Sequence, residues 1–295
     1  MDKGDRGGEP RAAQGGLFPY FGLTFGLTWT SWIVAAVLVN ERSMAGPFDS
    51  PLTTILVVLG IGAPALSAFA LTVHRGGRGS AGPFLRHLVR WRHAARWYAF
   101  AVGYIVAVKL AAAIAYRIVE GAWPVVAIQM APLLLAATVF STLSGGQVGE
   151  ELGWRGYALP RLETRVGLGP GSLLLGIIWA VWHLPLFYMP GADTYGQSFP
   201  LYAIQVTGLS VALAWLYHKT RGSLLLVMLM HASFNNLAGI VPGVARPAGN
   251  PLNPDAPVLG WLTAMMIWVT AVYLLARLAS PDRTRDGRLF AMEQR

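Results

Sequence analysis

Long stretches without a charged side chain constrain this chain more than any other feature of its sequence. A helix that crosses a bilayer needs about 20 mostly apolar residues with few or no charges. Eight windows meet or nearly meet that requirement: Leu17–Asn40, Pro51–Val73, Tyr98–Tyr116, Ala122–Val148, Gly167–Ala192, Thr194–Tyr217, Gly222–Ala245 and Ala256–Ala276. Only 13% of the residues are charged, about half the share of an average soluble domain. The sequence therefore predicts an all-α, polytopic integral membrane protein with about eight transmembrane helices and short interfacial helices.

The basic residues fall mainly between alternate windows. With a cytoplasmic N-terminus and eight crossings, cytoplasmic segments hold 19 of the 23 lysines and arginines, among them six arginines from Arg75 to Arg96. The external loops receive only Arg42, Arg117 and Arg246, and Lys109 lies within a span. Because cytoplasmic loops are enriched in basic residues, we expect a multi-pass protein of the cell membrane with both termini in the cytoplasm. Membrane topology also accounts for the positive charge without nucleic acid as a partner.

The segment from Arg75 to Arg96 mixes arginines with apolar side chains. It fits an amphipathic helix on anionic membrane lipids, or a loop that only sets the topology. We expect one membrane-embedded domain over residues 17–280, between a disordered N-terminal segment (1–16) and a polar cytoplasmic tail (281–295). The predominance of arginine over lysine is typical of a GC-rich bacterial genome. The chain has no cysteine, which excludes disulfides and a cysteine nucleophile.

Three polar constellations interrupt the apolar segments. They are Glu150-Glu151-Leu-Gly-Trp-Arg155, Trp179-Ala-Val-Trp-His183 and His231-Ala-Ser-Phe-Asn235. A charged group at membrane depth costs about 2.5–3.5 kcal/mol on insertion scales, so such residues are functional candidates. Each constellation alone also fits an ordinary role: a solvated ion pair, a packing histidine, or hydrogen bonds between helices. Together they predict a shared polar site.

Helical spacing suggests that the two glutamates of the first constellation have different partners. Glu151 and Arg155 are four residues apart and can pair on one helix face. Glu150 is rotated from Glu151 by about 100°, so it can point to a reacting centre. The glycine-rich stretch 144–149 predicts a break before a short helix, Glu150–Leu159, which Pro160 ends or kinks. We expect this helix at the cytoplasmic edge or dipping inward.

These motifs resemble those of the CAAX protease and bacteriocin-processing family, whose eukaryotic members cleave prenylated CAAX tails. That family has Glu-Glu-x-x-x-Arg, then aromatic-x-x-x-His, then His-x-x-x-Asn or Asp, on an eight-helix membrane core. The resemblance covers roughly residues 50–280, and one departure of this chain from the pattern is Trp179, where phenylalanine is commoner.

The resemblance implies roles for the candidate residues. Glu150 and His183 would activate water for attack on a peptide carbonyl, and His231 with Asn235 would bind the oxyanion. Glu151, Arg155 and Trp179 would support the site. Zinc held by Glu150, His183 and His231 is an alternative. We favour a metal-free glutamate mechanism without a cofactor, because the chain lacks His-Glu-x-x-His.

The function expected from this resemblance is an intramembrane endopeptidase acting near the cytoplasmic face. Its partners would be membrane lipids and a peptide or protein substrate, membrane-anchored or prenylated. Two alternatives remain open. A non-catalytic scaffold or immunity-type protein would retain the polar core without needing Glu150, and a transporter would show inverted repeats with broken helices in both halves.

Overall fold

The bundle is built from helices throughout the part of the chain that the computed structural model describes, namely residues 16–144, 146–242, 250–254 and 256–279. Within those ranges there are short 3₁₀ turns but no strand, and the helices are α1 Leu17–Glu41, α2 Pro51–Gly76, α3 Ala81–Arg86, α4 Ala95–Glu120, α5 Ala131–Leu143, α6 Gly146–Gly153, α7 Leu159–Val166, α8 Leu168–Trp182, α9 Phe199–Lys219, α10 Leu224–Leu237 and α11 Val258–Ala279. The predicted all-α membrane bundle is confirmed. The predicted disordered segment lies outside the described residues except for Gly16, and so do the polar tail 281–295 and Arg246.

Six of these helices are long and apolar enough to cross a membrane within the described ranges: α1, α2, α4, α8 with the turn that follows it, α9 and α11. The other two predicted windows form shorter helices. Ala122–Val148 yields Ile128–Leu143, which meets the helical stretch Gly146–Val166 at a sharp bend and forms with it a broken span or a re-entrant loop. Gly222–Ala245 yields the apolar helix Leu224–Ile240. The expected break after the fourth window is therefore present, and the span count depends on how the bent pair is treated.

The helix that carries the two glutamates does not end at Pro160. It continues from α6 through a π-helical turn, Trp154–Ala158, into α7. Pro160 falls in the first turn of α7, directly after the π turn, where the regular α-helical hydrogen-bond pattern is already interrupted. The π turn includes Arg155, and such turns occur often at functional sites.

Two glycines bring α6 against the middle of α2. A Cβ atom on Gly149 would lie 2.8 Å from the backbone oxygen of Ile61, and one on Gly153 would lie 2.6 Å from atoms of Pro64. Small residues four apart allow this kind of backbone contact between membrane helices. Glu150 and Glu151 follow Gly149 directly, so the short helix dips inward instead of lying at an edge.

The bundle has two ends with different charge. At one end, residues 77–94 form α3 and several turns instead of one long amphipathic helix. This segment contacts the α9–α10 connection, where Arg90 Nη1 donates to the Arg221 carbonyl (2.5 Å) and Ser223 Oγ donates to the Arg90 carbonyl (2.7 Å). We call this end, which includes the arginines between α2 and α4, the arginine-rich face.

The opposite end joins the loops after α1, α4, α8 and α10. The loop after α1 approaches the loop after α8, since a Cβ on Gly46 would lie 3.5 Å from the Gly191 Cα. Ala127 N–H donates to the Ile240 carbonyl (2.9 Å), which joins the other two loops. We call this end the arginine-poor face.

Candidate active site

A buried ion pair forms the base of the candidate site. Arg155 Nη1 donates to both carboxylate oxygens of Glu151, at 2.8 and 3.0 Å, and both side chains are fully buried. Arg155 Nη2 donates to Ser210 Oγ (3.2 Å), and Ser210 donates to the Ser172 carbonyl (2.9 Å). The pairing expected from the four-residue spacing is therefore present, and it also links α8 and α9.

Glu151 has a second partner that the sequence did not indicate. Its Oε1 lies 2.8 Å from His231 Nδ1. An ionised carboxylate can only accept a hydrogen bond, so Nδ1 carries the proton in this contact. This bond fixes the orientation of the His231 ring, and Glu151 therefore connects Arg155 to α10.

Glu150 faces a different helix from Glu151. Glu150 Oε2 accepts a hydrogen bond from the indole Nε1 of Trp179 (2.8 Å). The same oxygen lies 4.0 Å from His183 Nε2. Adjacent carboxylates are thus separated as their rotation around the helix predicts, with Glu151 paired to Arg155 and Glu150 directed to His183.

The tautomer of His183 follows from its surroundings. Its Nδ1 lies 2.8 Å from the Trp179 carbonyl oxygen, which can only accept, so Nδ1 is the donor. In the neutral ring Nε2 then has a free lone pair, and it is this atom that faces Glu150. Three aromatic rings pack around the imidazole with their centroids within 6 Å of its own, those of Trp179, Trp182 and Tyr202.

Trp179 contacts four charged or imidazole groups of the site: Glu150, Arg155, His183 and His231. Besides its bonds to Glu150 and His183, its ring lies 4.5 Å from the Arg155 guanidinium carbon and 5.1 Å from the His231 ring, which it meets edge to face. Only a tryptophan combines this ring with an N–H donor in reach of Glu150, because phenylalanine has no donor. The residue predicted as a support therefore lies at the centre of the cluster.

Asn235 is the candidate that the structure does not bring into the cluster. It lies one helical turn after His231 on α10 and is exposed. Among the described residues, its side chain has no recorded hydrogen bond to Glu150, His183 or His231. His231 and Asn235 are therefore neighbours along α10, but they do not face the same polar cluster.

The side chains do not form a ready-made metal site. In the described residues, no group of three or more His, Asp or Glu side chains is arranged to hold a metal ion. Glu150, His183 and His231 were the expected zinc ligands; the Nδ1 atoms of both histidines face protein acceptors, which leaves Nε2 of each ring as the nitrogen that could reach a metal. No step through a metal is derived for this site.

The region that carries this cluster is similar to known proteins. Residues 129–237 match the family model described as "Type II CAAX prenyl endopeptidase Rce1-like". All seven candidate residues, from Glu150 to Asn235, lie within that segment. The family resemblance is confirmed.

A curated relative supports the same similarity. The CAAX prenyl protease 2 of Methanococcus maripaludis is 33% identical over 109 residues, which make up 35% of this chain and 36% of that protein. The chain thus spans about a third of the length of the relative that it matches.

Several residues near the site carried no signal in the sequence. Ser210 and Tyr202 lie in apolar α9, and Ser172 lies in α8, so none of them belongs to a recognisable spacing. Trp182 belongs to no recognisable spacing either, yet its Nε1 donates to Thr28 Oγ1 (2.8 Å) and its ring lies edge-on to His183. The only sequence hint for Trp182 is that it precedes His183.

Proposed function

We propose that this chain is an intramembrane endopeptidase in which Glu150 and His183 activate a water molecule. The observation that carries the proposal is the 4.0 Å separation between Glu150 Oε2 and His183 Nε2. One water oxygen can lie about 2.8 Å from both atoms and donate a hydrogen bond to each. General bases within such reach of water contribute about 10²–10⁴-fold to a reaction rate.

The reaction follows from the donors and acceptors of the pair. Glu150 takes one proton of the water while the water oxygen bonds to the peptide carbonyl carbon. When the C–N bond breaks, Glu150 returns that proton to the leaving amine, so one water is consumed per bond cleaved. His183 accepts the other hydrogen bond of the water, and the Trp179 carbonyl keeps its Nε2 unprotonated for that purpose.

His231 is the proposed donor to the oxyanion. Its Nδ1 is engaged with Glu151, so Nε2 can donate only when the ring is an imidazolium. The Glu151 carboxylate supplies the counter-charge for that form. The two negative charges of Glu150 and Glu151 are then matched by the two positive charges of Arg155 and His231. Positioned donors of this kind stabilise developing negative charge strongly in a dry site. Asn235 is the second proposed oxyanion donor, with its exposed side chain one helical turn after His231 on α10.

The experiment compares membrane peptides from cells that express the wild-type chain, Glu150→Gln or His183→Gln. We expect wild-type cells to accumulate cleavage products that are absent with either variant, because an amide side chain neither takes up a proton from the water, as the Glu150 carboxylate does, nor offers the basic lone pair of the His183 imidazole. Equal amounts of folded variant, measured by thermal unfolding in detergent, serve as the control. Cleavage at the wild-type level by both variants would contradict the proposal and would favour the scaffold function.

Two further parts of the proposal are the class of substrate and the absence of a catalytic metal. The proposed substrate is a membrane-associated peptide or protein, and prenylated CAAX tails are the class to which the family resemblance points. Purified protein treated with a zinc chelator is expected to retain cleavage under the metal-free mechanism. Loss of cleavage that added zinc restores would replace that mechanism with a zinc-dependent one.

A further inference from the structure

The first turn of α1 offers hydrogen-bond donors outside the candidate active site. No side chain caps this end of the helix at Gly16, and Pro19 has no backbone N–H. The N–H groups of Leu17 and Phe18 are left without an acceptor inside the helix. The start of a helix carries a partial positive charge, so these donors favour an anion.

Two side chains from other elements point at this helix end. A Cβ atom on Gly16 would lie 2.6 Å from Tyr157 Oη and 2.7 Å from Arg75 Nη1. Tyr157 belongs to the π turn after α6, and Arg75 belongs to the last turn of α2. A phenol hydroxyl and a guanidinium group therefore lie beside the free N–H groups of α1.

The Tyr157 hydroxyl is buried without a partner. The residue is 0% exposed, and among the described residues no group forms a hydrogen bond with Oη. Its ring packs against Tyr20, with centroids 4.9 Å apart, and the Arg161 guanidinium carbon lies 3.5 Å from its centroid. Because buried polar groups are nearly always hydrogen-bonded, this hydroxyl indicates a ligand that the chain itself does not supply.

The positive charges around Tyr157 also lack a counter-charge in the part of the chain that the structure describes. Neither Arg75 nor Arg161 forms an ion pair there with an acidic side chain. Arg161 Nη1 donates to the Tyr157 carbonyl (2.9 Å), while its buried Nε has no hydrogen-bond partner among the described residues. The two guanidinium groups repel each other, and an anion shared between them would remove that repulsion.

We propose that the start of α1, Arg75, Tyr157 and Arg161 form a binding site for a phosphate group. Guanidinium groups bind phosphate oxygens through strong charge-assisted hydrogen bonds. The phenol O–H can donate one more, and the N-termini of helices bind phosphate through their N–H groups. The site lies at the arginine-rich face and takes no part in the proposed endopeptidase chemistry.

Two sources of phosphate share this chemistry, the headgroup of an anionic phospholipid and free phosphate. Phe18, beside the site, is 87% exposed, and an exposed apolar side chain at the end of a membrane helix lies among lipids. Basic residues next to a membrane also attract anionic lipids. The lipid headgroup is therefore the source expected first.

The test measures binding to the purified full chain in a neutral detergent. Phosphatidylglycerol, a diacylglycerol with the same acyl chains and inorganic phosphate are each titrated. The rise in the midpoint of thermal unfolding gives an apparent dissociation constant for each. We expect phosphatidylglycerol to raise the midpoint and the diacylglycerol, which has no phosphate, to leave it unchanged.

Tyr157→Phe is the decisive variant, because it removes the hydroxyl and keeps the ring against Tyr20 and Arg161. Without ligand it should unfold at the wild-type midpoint or above, since it removes a buried hydroxyl that has no partner. We expect it to bind phosphatidylglycerol about tenfold more weakly than the wild type, and Arg161→Gln to show a similar loss. Arg86→Gln is the matched control, because it removes the same charge from an exposed position of α3 at the same face.

The pattern of losses identifies the ligand. Weaker binding of phosphatidylglycerol by Tyr157→Phe and Arg161→Gln, but not by Arg86→Gln, supports a lipid headgroup, and the same pattern with inorganic phosphate alone supports free phosphate. Three results would overturn the proposal: no response of the wild type to either phosphate compound, wild-type affinity of Tyr157→Phe for both, or an equal loss in Arg86→Gln, which would indicate diffuse attraction to the basic face.

Discussion

At the residue scale, the two glutamates differ in what they can do because their partners differ. Glu151 is saturated by Arg155 and His231, and removal of one partner of such a buried pair typically costs 3–5 kcal/mol. Glu150 accepts a hydrogen bond from one neutral donor, the Trp179 indole. Its carboxylate can still accept a further hydrogen bond on the side that faces His183. Glu151 therefore belongs to the framework of the site, and Glu150 to its proposed chemistry.

The indole N–H of Trp179 gives a prediction at this scale. Trp179→Phe keeps the ring against Arg155 and His231 but removes the donor to Glu150. Hydrogen bonds to charged groups contribute about 1.5–3 kcal/mol, and 1.4 kcal/mol corresponds to about tenfold in rate. We expect kcat to fall about tenfold or more with KM unchanged, as measured by steady-state cleavage.

Trp215→Phe is the matched control for this substitution. Trp215 packs against Trp97 with ring centroids 5.6 Å apart, and its buried Nε1 has no hydrogen-bond partner among the described residues. This variant should cleave at the wild-type rate. A Trp179→Phe variant that matches it in kcat would show that the bond to Glu150 does not matter for the reaction.

At the element scale, α6 is positioned by its contact with α2 more than by its own length. The eight residues Gly146–Gly153 open the helical stretch Gly146–Val166, which bends away from α5 and is interrupted by the π turn after Gly153. Gly149 and Gly153 bring the backbone of α6 against Ile61 and Pro64, which directs the glutamates to the other side. The positions of Glu150 and Glu151 therefore depend on two glycines that carry no chemistry.

Gly149→Ala tests this dependence. The added methyl group would lie 2.8 Å from the Ile61 oxygen and 3.2 Å from the Gly62 Cα, and overpacking of this kind costs about 1–3 kcal/mol. We expect a lower midpoint of thermal unfolding in detergent and a lower cleavage rate.

Gly103→Ala makes the same chemical change in α4, where a Cβ atom meets no other heavy atom within 4 Å. Alanine favours a helix interior over glycine by about 1 kcal/mol, so this control should be neutral or slightly stabilising. Equal unfolding midpoints for the two variants would show that the α2–α6 contact is not tight.

At the scale of the whole molecule, the sequence predicts what lies within one helix better than what lies between helices. Charge-free length predicts the long helices, and the four-residue spacing predicts the Glu151–Arg155 pair. The bond from Trp179 to Glu150 joins residues 29 apart, and the contact of His231 with Glu151 joins residues 80 apart. Helical periodicity carries no information on such contacts, which depend on how α6, α8 and α10 pack.

Asn235 and the span count show the same limit. The His231–Asn235 spacing places both residues near one face of α10 but says nothing about the exposure of that face. The glycines before Glu150 predict a break, yet the direction of the chain after it depends on packing against α2. The family pattern identifies the residues of a site, whereas the exposure of each residue depends on how the helices pack.

The most direct measurement of the central claim is chemical rescue of a missing carboxylate at position 150. Purified Glu150→Ala and Glu151→Ala are assayed on a peptide identified by the membrane comparison, with and without added formate. The account predicts that Glu150→Ala loses at least about 100-fold in cleavage rate and regains part of it as formate increases, while Glu151→Ala is not rescued. A Glu150→Ala protein that cleaves at the wild-type rate without formate would contradict it.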